Sequence, residues 1–324
     1  MSEKTFKDYD ELIELLRERG IALTTPSDID YAKRVLAKEG YYNLINGYGK
    51  LFLDPDNSNQ YISGTTLYEI HALYQFDRTL RNIFFRYILN IETHIKNLIA
   101  HTFSQKYGHS NYLLYTNFNT SARNAQSNIT ALIAEIQRQI ASRTSDPSIS
   151  HYLKSYGYIP LWVLNNVLTL GTISKFYSLM KIEDRQKISR VFGILDNELE
   201  NELMYLSSVR NFCAHGNRLY CYRTKNPLMD TPLHSALSIP RNSQNEYLYG
   251  KRDLFAAMIA LERLLSNNDY KRLSKEVYRN IGVLNKKLSV LKIDDILKQM
   301  GFPSNWRELG YVGKEESLAK ASKL

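Results

Sequence analysis

The longest helical pattern of the chain occupies residues 66–107 and reads TLYEIHALYQFDRTLRNIFFRYILNIETHIKNLIAHTFSQKY. Apolar side chains recur at helical spacing from Leu67 to Ile99, with charged and polar residues between them. Gly108 follows directly, and a glycine in this position commonly ends a helix. The pattern predicts one long helix that is broken at most once.

Amphipathic patterns on both sides of this stretch predict further helices. They fall at residues 9–19, 29–38, 121–142, 161–168, 183–192, 252–265 and 271–298, and a further one runs from residue 196 towards residue 209. Residues 143–150 have the composition of a linker, and residues 221–249 are the least regular part of the chain. Convincing strand alternation is absent from the sequence. We therefore predict an all-α fold, which disfavours Rossmann-type and barrel enzymes.

The composition indicates a polyanionic partner. Lysine and arginine number 42 against 33 aspartates and glutamates, which gives a net charge of +9. A basic excess of this kind is typical of proteins that bind phosphates. The two cysteines, Cys213 and Cys221, do not form a disulfide framework. The chain opens on charged residues rather than on a signal peptide, and it has no apolar run of ~18 residues. We expect a cytoplasmic protein that does not contact a membrane.

The stretch that carries chemistry is VRNFCAH at residues 209–215. An imidazole such as that of His215 can take a proton from a ribose 2′-OH or give one to a leaving 5′ oxygen. The guanidinium of Arg210 can hold the phosphate and offset its growing charge, and Asn211 can position either group. A short pairing of these residue types can support RNA cleavage without a metal. No metal cluster, Gly-rich phosphate loop or Ser/His/Asp set elsewhere in the sequence competes with them.

The spacing within this stretch imposes a geometric condition. Residues five apart on an ideal helix are separated by about 140°, so Arg210 and His215 share a face only if the helix begins or bends there. Asn211, His215 and Arg218 do share one face of a continuous helix. One arginine and one histidine make half of a symmetric acid–base site, and two copies across a two-fold axis would complete it.

Five segments, taken in order, resemble one known family. They are the tyrosine-rich opening at residues 41–48 behind the helix at 9–19, FDRTLR at 76–81 with IE at 91–92, PLW at 160–162 with GTISKFY at 171–177, RNFCAH at 210–215 and GFPSNW at 301–306. On these segments the chain resembles the Abi-like (AbiD/AbiF) proteins of bacterial abortive infection, a branch of the HEPN ribonuclease superfamily. The resemblance implies a HEPN-like helical bundle with an N-terminal helical extension and basic C-terminal helices.

We divide the chain accordingly into three parts. Residues 1–64 form a tyrosine-rich helical segment packed on the core, residues 65–270 form the HEPN-like core, and residues 271–324 form a basic helical segment with a mobile tail.

The resemblance further implies a phage-defence toxin that is a metal-independent endoribonuclease and needs no cofactor. The 2′-OH would attack the adjacent phosphate and leave a 2′,3′-cyclic phosphate and a 5′-OH. Carried onto this chain, Arg210 would bind the phosphate, Asn211 would position the groups and His215 would be the acid and base. The chain has one such motif, so the active form would be a homodimer. Cellular or phage RNA would be the substrate, and a bound structured non-coding RNA would regulate the toxin.

Further candidate residues surround this motif. The RNA-binding candidates are Arg218, Lys271, Arg272, Lys275, Arg279, Lys286, Lys287, Tyr41 and Tyr42. The basic residues suit a solvated helix face equally well, and tyrosines more commonly lock helices to a core than stack on bases. Glu92 is a candidate acidic partner of Arg210 or His215, although Lys96 at i+4 competes for it.

Other interpretations of the sequence stay open. Arg210 could pair with Glu200 or Glu202, with His215 as a core histidine. A zinc site at Cys213, His215 and Cys221 is disfavoured by irregular spacing. Beside the nuclease, the sequence permits an RNA-binding module without cleavage activity and a helical sensor of a phage protein. Substitution of His215 distinguishes the nuclease from the RNA-binding module, because it abolishes cleavage by a nuclease but weakens RNA binding by a module.

Overall fold

The computed structural model describes residues 5–313, and this part of the chain folds as an all-α protein without a β-strand. Its pairings of extended backbone are isolated bridges such as the one between Leu53 and Tyr61. The predicted fold class is therefore confirmed. None of the described helices is both long and apolar enough to cross a membrane.

Thirteen α-helices have both ends within the described residues, and residues 309–313 are also α-helical. They are α1 (Tyr9–Glu18), α2 (Pro26–Glu39), α3 (Leu67–Tyr107), α4 (Ala125–Ala141), α5 (Pro147–Tyr156), α6 (Leu161–Leu164), α7 (Leu170–Leu179), α8 (Ile182–Ser189), α9 (Asp196–Ala214), α10 (Pro232–Ala236), α11 (Leu254–Leu264), α12 (Asn267–Asn285) and α13 (Ile293–Met300). A π-helical turn at Tyr42–Asn46 and several short 3-10 turns connect them.

The central element is α3, which is unbroken over 41 residues and therefore about 60 Å long. The Thr66 hydroxyl caps its start by accepting the backbone N–H of Glu69, and Gly108 ends it with a φ of +85°. Helices α6, α7, α8, α9 and α12 all pack against it. Because neighbours cover several of its sides, α3 buries residues around most of its circumference rather than along one stripe.

Several predicted helix boundaries are wrong, and capping explains two of them. Helix α2 begins at Pro26, earlier than predicted, because Thr25 forms a capping box with Asp28. The predicted linker at 143–150 contains the start of α5, since Asp146 accepts the N–H groups of Ser148 and Ile149. The helix predicted at 161–168 ends at Leu164, and a new helix, α7, begins at Leu170.

The predicted helix at 271–298 is two helices, and a tertiary contact lies at the break. The Glu69 carboxylate on α3 accepts the backbone N–H groups of Ser289 (2.6 Å) and Val290 (2.8 Å). These N–H groups therefore bond to a side chain instead of continuing the helical ladder. Helix α12 consequently ends at Asn285 and α13 starts at Ile293.

The segment before α3 docks onto the first half of that helix through tyrosines. Tyr31 is 2.6 Å from His71 Nδ1, Tyr74 donates to Glu39 (2.6 Å), and Tyr48 donates to Asp77 (2.7 Å). The boundaries at residues 64 and 270 stay predictions. The tail predicted to be mobile falls on residues 314–324, which lie outside the described residues.

Candidate active site

The sequence VRNFCAH forms nearly the last two turns of α9 and its C-cap, and a glycine motif fixes the end of the helix. Gly216 adopts a φ of +70°, its N–H donates to the Cys213 carbonyl (3.1 Å), and the Asn217 N–H donates to the Phe212 carbonyl (3.2 Å). This pair of bonds is a Schellman motif, which closes a helix with a left-handed residue. His215 is the residue just before that turn, and its side chain is exposed.

A buried carboxylate on α3 holds the chain that follows the motif. Asp77 is fully buried and accepts the N–H groups of Leu219 (3.3 Å) and Tyr220 (2.7 Å). It also accepts the Tyr48 hydroxyl and pairs with Arg81, whose guanidinium donates to the Asn217 carbonyl (3.2 Å). Burial raises the pKa of the Asp77 carboxyl, and the Arg81 charge opposes that rise. The segment after His215 is therefore tied to the centre of the bundle.

Arg210 lies against a second charged cluster on α3. Its Nε is 3.6 Å from Glu92 Oε2, and its guanidinium lies 5.5 Å from the ring centre of Phe85. Glu92 is buried and its other oxygen pairs with Lys96 at 2.7 Å. Of the three partners predicted for Glu92 from the sequence, Arg210 and Lys96 contact it, whereas His215 is not among its ion-pair partners in the described residues.

This second cluster is incompletely hydrogen-bonded. Within residues 5–313, neither Arg210 Nε nor Glu92 Oε2 has a hydrogen-bond partner, although both atoms are buried. The Arg210 side chain as a whole is 26% exposed. A guanidinium has five N–H donors, so Arg210 retains donors that could grip an incoming phosphate.

Asn211 and His215 complete the motif at the surface. Both side chains are exposed, and Asn211 Oδ1 lies 3.5 Å from Arg210 Nη1, at the limit of a hydrogen bond. Helix α9 is continuous from Asp196 to Ala214, so no bend within it brings Arg210 and His215 onto one face. A single chain therefore presents the guanidinium of Arg210 and one imidazole, but no second imidazole from the same motif.

The structure overturns two of the alternative interpretations of these residues. Glu200 pairs with Arg185 at 2.6 Å and Glu202 with Arg263 at 2.9 Å, so neither is the partner of Arg210. His215 is exposed rather than a core histidine.

The two cysteines near the motif contribute neither a metal centre nor an activated thiol. Residues 5–313 contain no cluster of three His, Cys, Asp or Glu residues arranged for a metal ion. Burial raises the pKa of the Cys213 thiol to about 12, so this thiol stays protonated at neutral pH and is a poor nucleophile.

The RNA-binding candidates Arg218, Tyr41 and Tyr42 differ in their contacts and in their exposure. Because α9 ends at Ala214, Arg218 is not on its face, and its guanidinium donates to the carbonyls of Asn46 (3.2 Å) and Gly47 (3.0 Å). Tyr41 is half-buried against the core, whereas Tyr42 is 76% exposed. Of this group, Tyr42 therefore offers the most free ring surface.

The six predicted basic residues from Lys271 to Lys287 are all exposed, and the first four of them lie within about 100° of one another around α12. Lys271 and Lys275 share one side of α12, while Arg272 lies 3.9 Å from Asp269 on a neighbouring side. Arg279 is about one turn beyond Lys275 and two turns beyond Arg272, and it points between the two. Lys286 and Lys287 lie at the far end of the helix, beyond Asn285. The structure brings none of them into contact with Arg210 or His215.

Two positioning groups were missed by sequence reasoning. The Asp77–Arg81 pair lies in a segment that resembles a family signature, but the sequence suggested no role for it, although its i, i+4 spacing is a visible signal of an ion pair. Phe85, which lies under Arg210, carried no signal in the sequence because its partner is distant along the chain.

Comparison with known proteins gives one match. The family model described as Abi-like protein matches residues 34–221, from within α2 to just past the motif at 210–215. This is more than half of the 324-residue chain. No curated protein and no solved structure matches the chain.

Proposed function

The chain belongs to the Abi-like protein family, and from this premise we propose that it is a metal-independent endoribonuclease of the HEPN type. The family points to abortive infection, in which a bacterium defends its population against phage. The proposed enzyme would be the toxin of such a system and would cleave cellular or phage RNA.

The observation that carries the proposal is the arrangement at the end of α9. His215 is exposed on a turn fixed from both sides, and Arg210, five residues earlier in the chain, is held against α3 with unused donors. A general base must reach its proton and a phosphate ligand must have free donors, and both conditions are met here. Both residues also lie within the part of the chain that matches the family.

The chemistry follows from these groups. The imidazole of one His215 removes the proton of the ribose 2′-OH, and O2′ attacks the adjacent phosphorus. The bond from phosphorus to O5′ breaks as a protonated imidazole delivers a proton to that oxygen. The products are a 2′,3′-cyclic phosphate and a 5′-OH. Arg210 binds the non-bridging oxygens and stabilises the charge that builds on them, and Asn211 orients Arg210 or the phosphate.

The same chemistry favours a homodimer. The attacking and leaving oxygens lie on opposite sides of the phosphorus, so one imidazole is not placed to serve both at once. A second copy of the motif across a two-fold axis would supply the second imidazole. The exposure of His215 in the single chain is compatible with this arrangement.

Control by a structured non-coding RNA belongs to the same proposal. A free ribonuclease would damage its host, and a bound RNA would restrain it until infection. The net charge of +9 supports binding of such a polyanion.

The test compares the parent chain with His215→Ala, and His151→Ala serves as a matched control because it removes an exposed histidine on α5. We expect cleavage of RNA in EDTA by the parent and by the control. In His215→Ala the rate falls by at least ~10²-fold, the usual contribution of an acid–base group. Mass spectrometry of the products would show the cyclic phosphate.

RNA binding measured on the same proteins separates the alternative function. Retained RNA binding in His215→Ala, together with lost cleavage, supports the nuclease. Weakened binding, together with no cleavage by the parent, identifies instead an RNA-binding module that holds a non-coding RNA.

A further inference from the structure

A groove of about 610 Å³ lies between α12 and the segment that follows α13. Lys271, Lys275 and Tyr278 line it from α12, and Trp306, Arg307 and Tyr311 line it from the C-terminal segment. Its volume falls in the range of roughly 300–1,000 Å³ that is typical of small-ligand sites. The groove is distinct from the motif on α9, because no residue of α9 lines it.

The groove is positively charged. Three of its nine lining residues are cationic, and none of the nine carries a carboxylate. The two nearest acidic residues on α12 have partners elsewhere, since Asp269 lies 3.9 Å from Arg272 and Glu276 pairs with Arg86 on α3. These carboxylates therefore do not neutralise the positive charge of the groove, which can attract an anionic ligand.

Two tyrosines expose their rings in the same groove. Tyr278 is 50% exposed and Tyr311 is 75% exposed, so both rings offer surface to a ligand. The Arg307 guanidinium lies 4.1 Å from the centre of the Tyr278 ring and supports it by a cation–π contact. Trp306 is only 3% exposed and forms part of the wall.

We propose that this groove binds an unpaired nucleotide of RNA, with the base stacked on Tyr278 and Tyr311 and the phosphates held by Lys271 and Lys275. Exposed aromatic rings beside lysines are the combination that single-stranded nucleic acids require, because every base offers a flat face and every linkage a charge. The inference rests on the proposed function only in naming RNA as the ligand. It places one contact of the bound RNA at a distance from the cleaving residues.

The experiment uses the full chain carrying His215→Ala, so that the probe is not cut, and Trp162→Phe, so that Trp306 is the only tryptophan. The probe is a fluorescein-labelled 12-nucleotide oligoadenylate RNA, followed by anisotropy and by Trp306 fluorescence. Tyr278→Ala and Tyr311→Ala should each weaken binding by about 10-fold, in line with the removal of one stacked base. Lys271→Ala removes one cation that binds phosphate, so the slope of log affinity against log salt concentration should become shallower by about 0.7.

Tyr9→Ala is the matched control. Tyr9 is 47% exposed, close to the exposure of Tyr278, but its neighbours Asp8, Asp10 and Glu11 are acidic. This variant should bind the probe as the parent does, and Trp306 fluorescence should change on binding in the parent and in Tyr9→Ala.

The outcomes separate this inference from the proposed function. Unchanged affinity in both groove variants, or no binding of the probe by the parent, overturns the groove assignment, whether or not the chain with His215 cleaves RNA. Competition by a poly-glutamate peptide as effective as by RNA overturns it in favour of an acidic protein segment. Loss of binding in the groove variants supports it even if no cleavage is ever observed.

Discussion

Helix α3 carries two charged clusters that share a composition and differ in how fully they are bonded. Asp77, the first carboxylate, receives hydrogen bonds from Arg81, the Tyr48 hydroxyl and two backbone N–H groups. Glu92, the second, pairs with Lys96 and lies 3.6 Å from Arg210, and its Oε2 has no hydrogen-bond partner within residues 5–313. Both carboxylates are buried, so burial alone does not separate them.

This difference distinguishes the cluster around Asp77, which holds the structure together, from the cluster around Glu92, which leaves polar atoms free to bind a ligand. A buried carboxylate that accepts four hydrogen bonds holds its neighbours in place and has little to offer a ligand. A buried ion pair with unbonded donors or acceptors retains a desolvation penalty, and a ligand that bonds to those atoms can reduce it. The two are linked through α9, because Arg81 fixes Asn217 just after His215 while Glu92 contacts Arg210 just before it.

The largest expected effect is a loss of stability on disrupting the cluster around Asp77. Asp77→Ala leaves Arg81 without its partner and removes the acceptor for Leu219 and Tyr220. We expect the free energy of unfolding to fall by about 3–5 kcal/mol, measured by urea denaturation. Asp30→Ala, at an exposed position on α2, should change it by less than about 0.5 kcal/mol. A small effect at Asp77 would show that the two clusters do not differ in structural role.

Arg210→Ala should reverse this pattern by lowering activity and sparing stability. Removal of a phosphate-stabilising group costs about 10²–10³-fold in cleavage rate. The free energy of unfolding should change by no more than about 1 kcal/mol, since the Glu92 contact is long and lacks a hydrogen bond. Arg190→Ala, at an exposed position, is the control for both measurements. A loss of stability comparable to that of Asp77→Ala would contradict the distinction.

Two glycine substitutions, one in the turn that ends α9 and one in α12, should change stability by smaller amounts and in opposite directions. Gly216→Ala forces a side chain into a left-handed conformation and should destabilise the fold by about 1 kcal/mol, although no atom lies within 4 Å of the added carbon. Gly282→Ala, in α12, has equally open space and no positive φ, so it should stabilise by about 0.5–1 kcal/mol. Thermal melting of the two variants checks the signs, and equal shifts would argue against the Schellman turn.

The smallest effect is expected at Lys96. Lys96→Met leaves Arg210 as the remaining cation beside Glu92, so the Glu92–Arg210 contact should tighten and the grip on substrate phosphate should weaken. We expect kcat/KM to fall about 3-fold through a higher KM and a lower kcat, because Arg210 contacts the phosphate in both the ground state and the transition state. Lys154→Met on α5 is the exposed control. A fall in KM would mean that Lys96 competes with Arg210 for the substrate phosphate, instead of shielding Arg210 from Glu92.

Local sequence features predicted most helices and failed where a distant group intervened. The end of α3 followed from Gly108, the residue directly after the helix. The break between α12 and α13 did not, because the Glu69 carboxylate that binds Ser289 and Val290 is on another helix. The start of α5 resembles a linker in sequence, because Asp146 and Pro147 suit a turn as well as a helix cap.

By itself the sequence determined the fold class, the course of α3 and the residues worth testing at 210–215. Periodicity reports which face of a helix is apolar, and residue chemistry reports what a side chain can do. Only the tertiary structure decided that Arg210 lies against Glu92 and Phe85 rather than Glu200 or Glu202, that His215 is exposed, and that Asp77 holds the chain behind it. Those choices depend on how α9 packs against α3, and the register between two helices is set by the fit of all their side chains together rather than by any one motif.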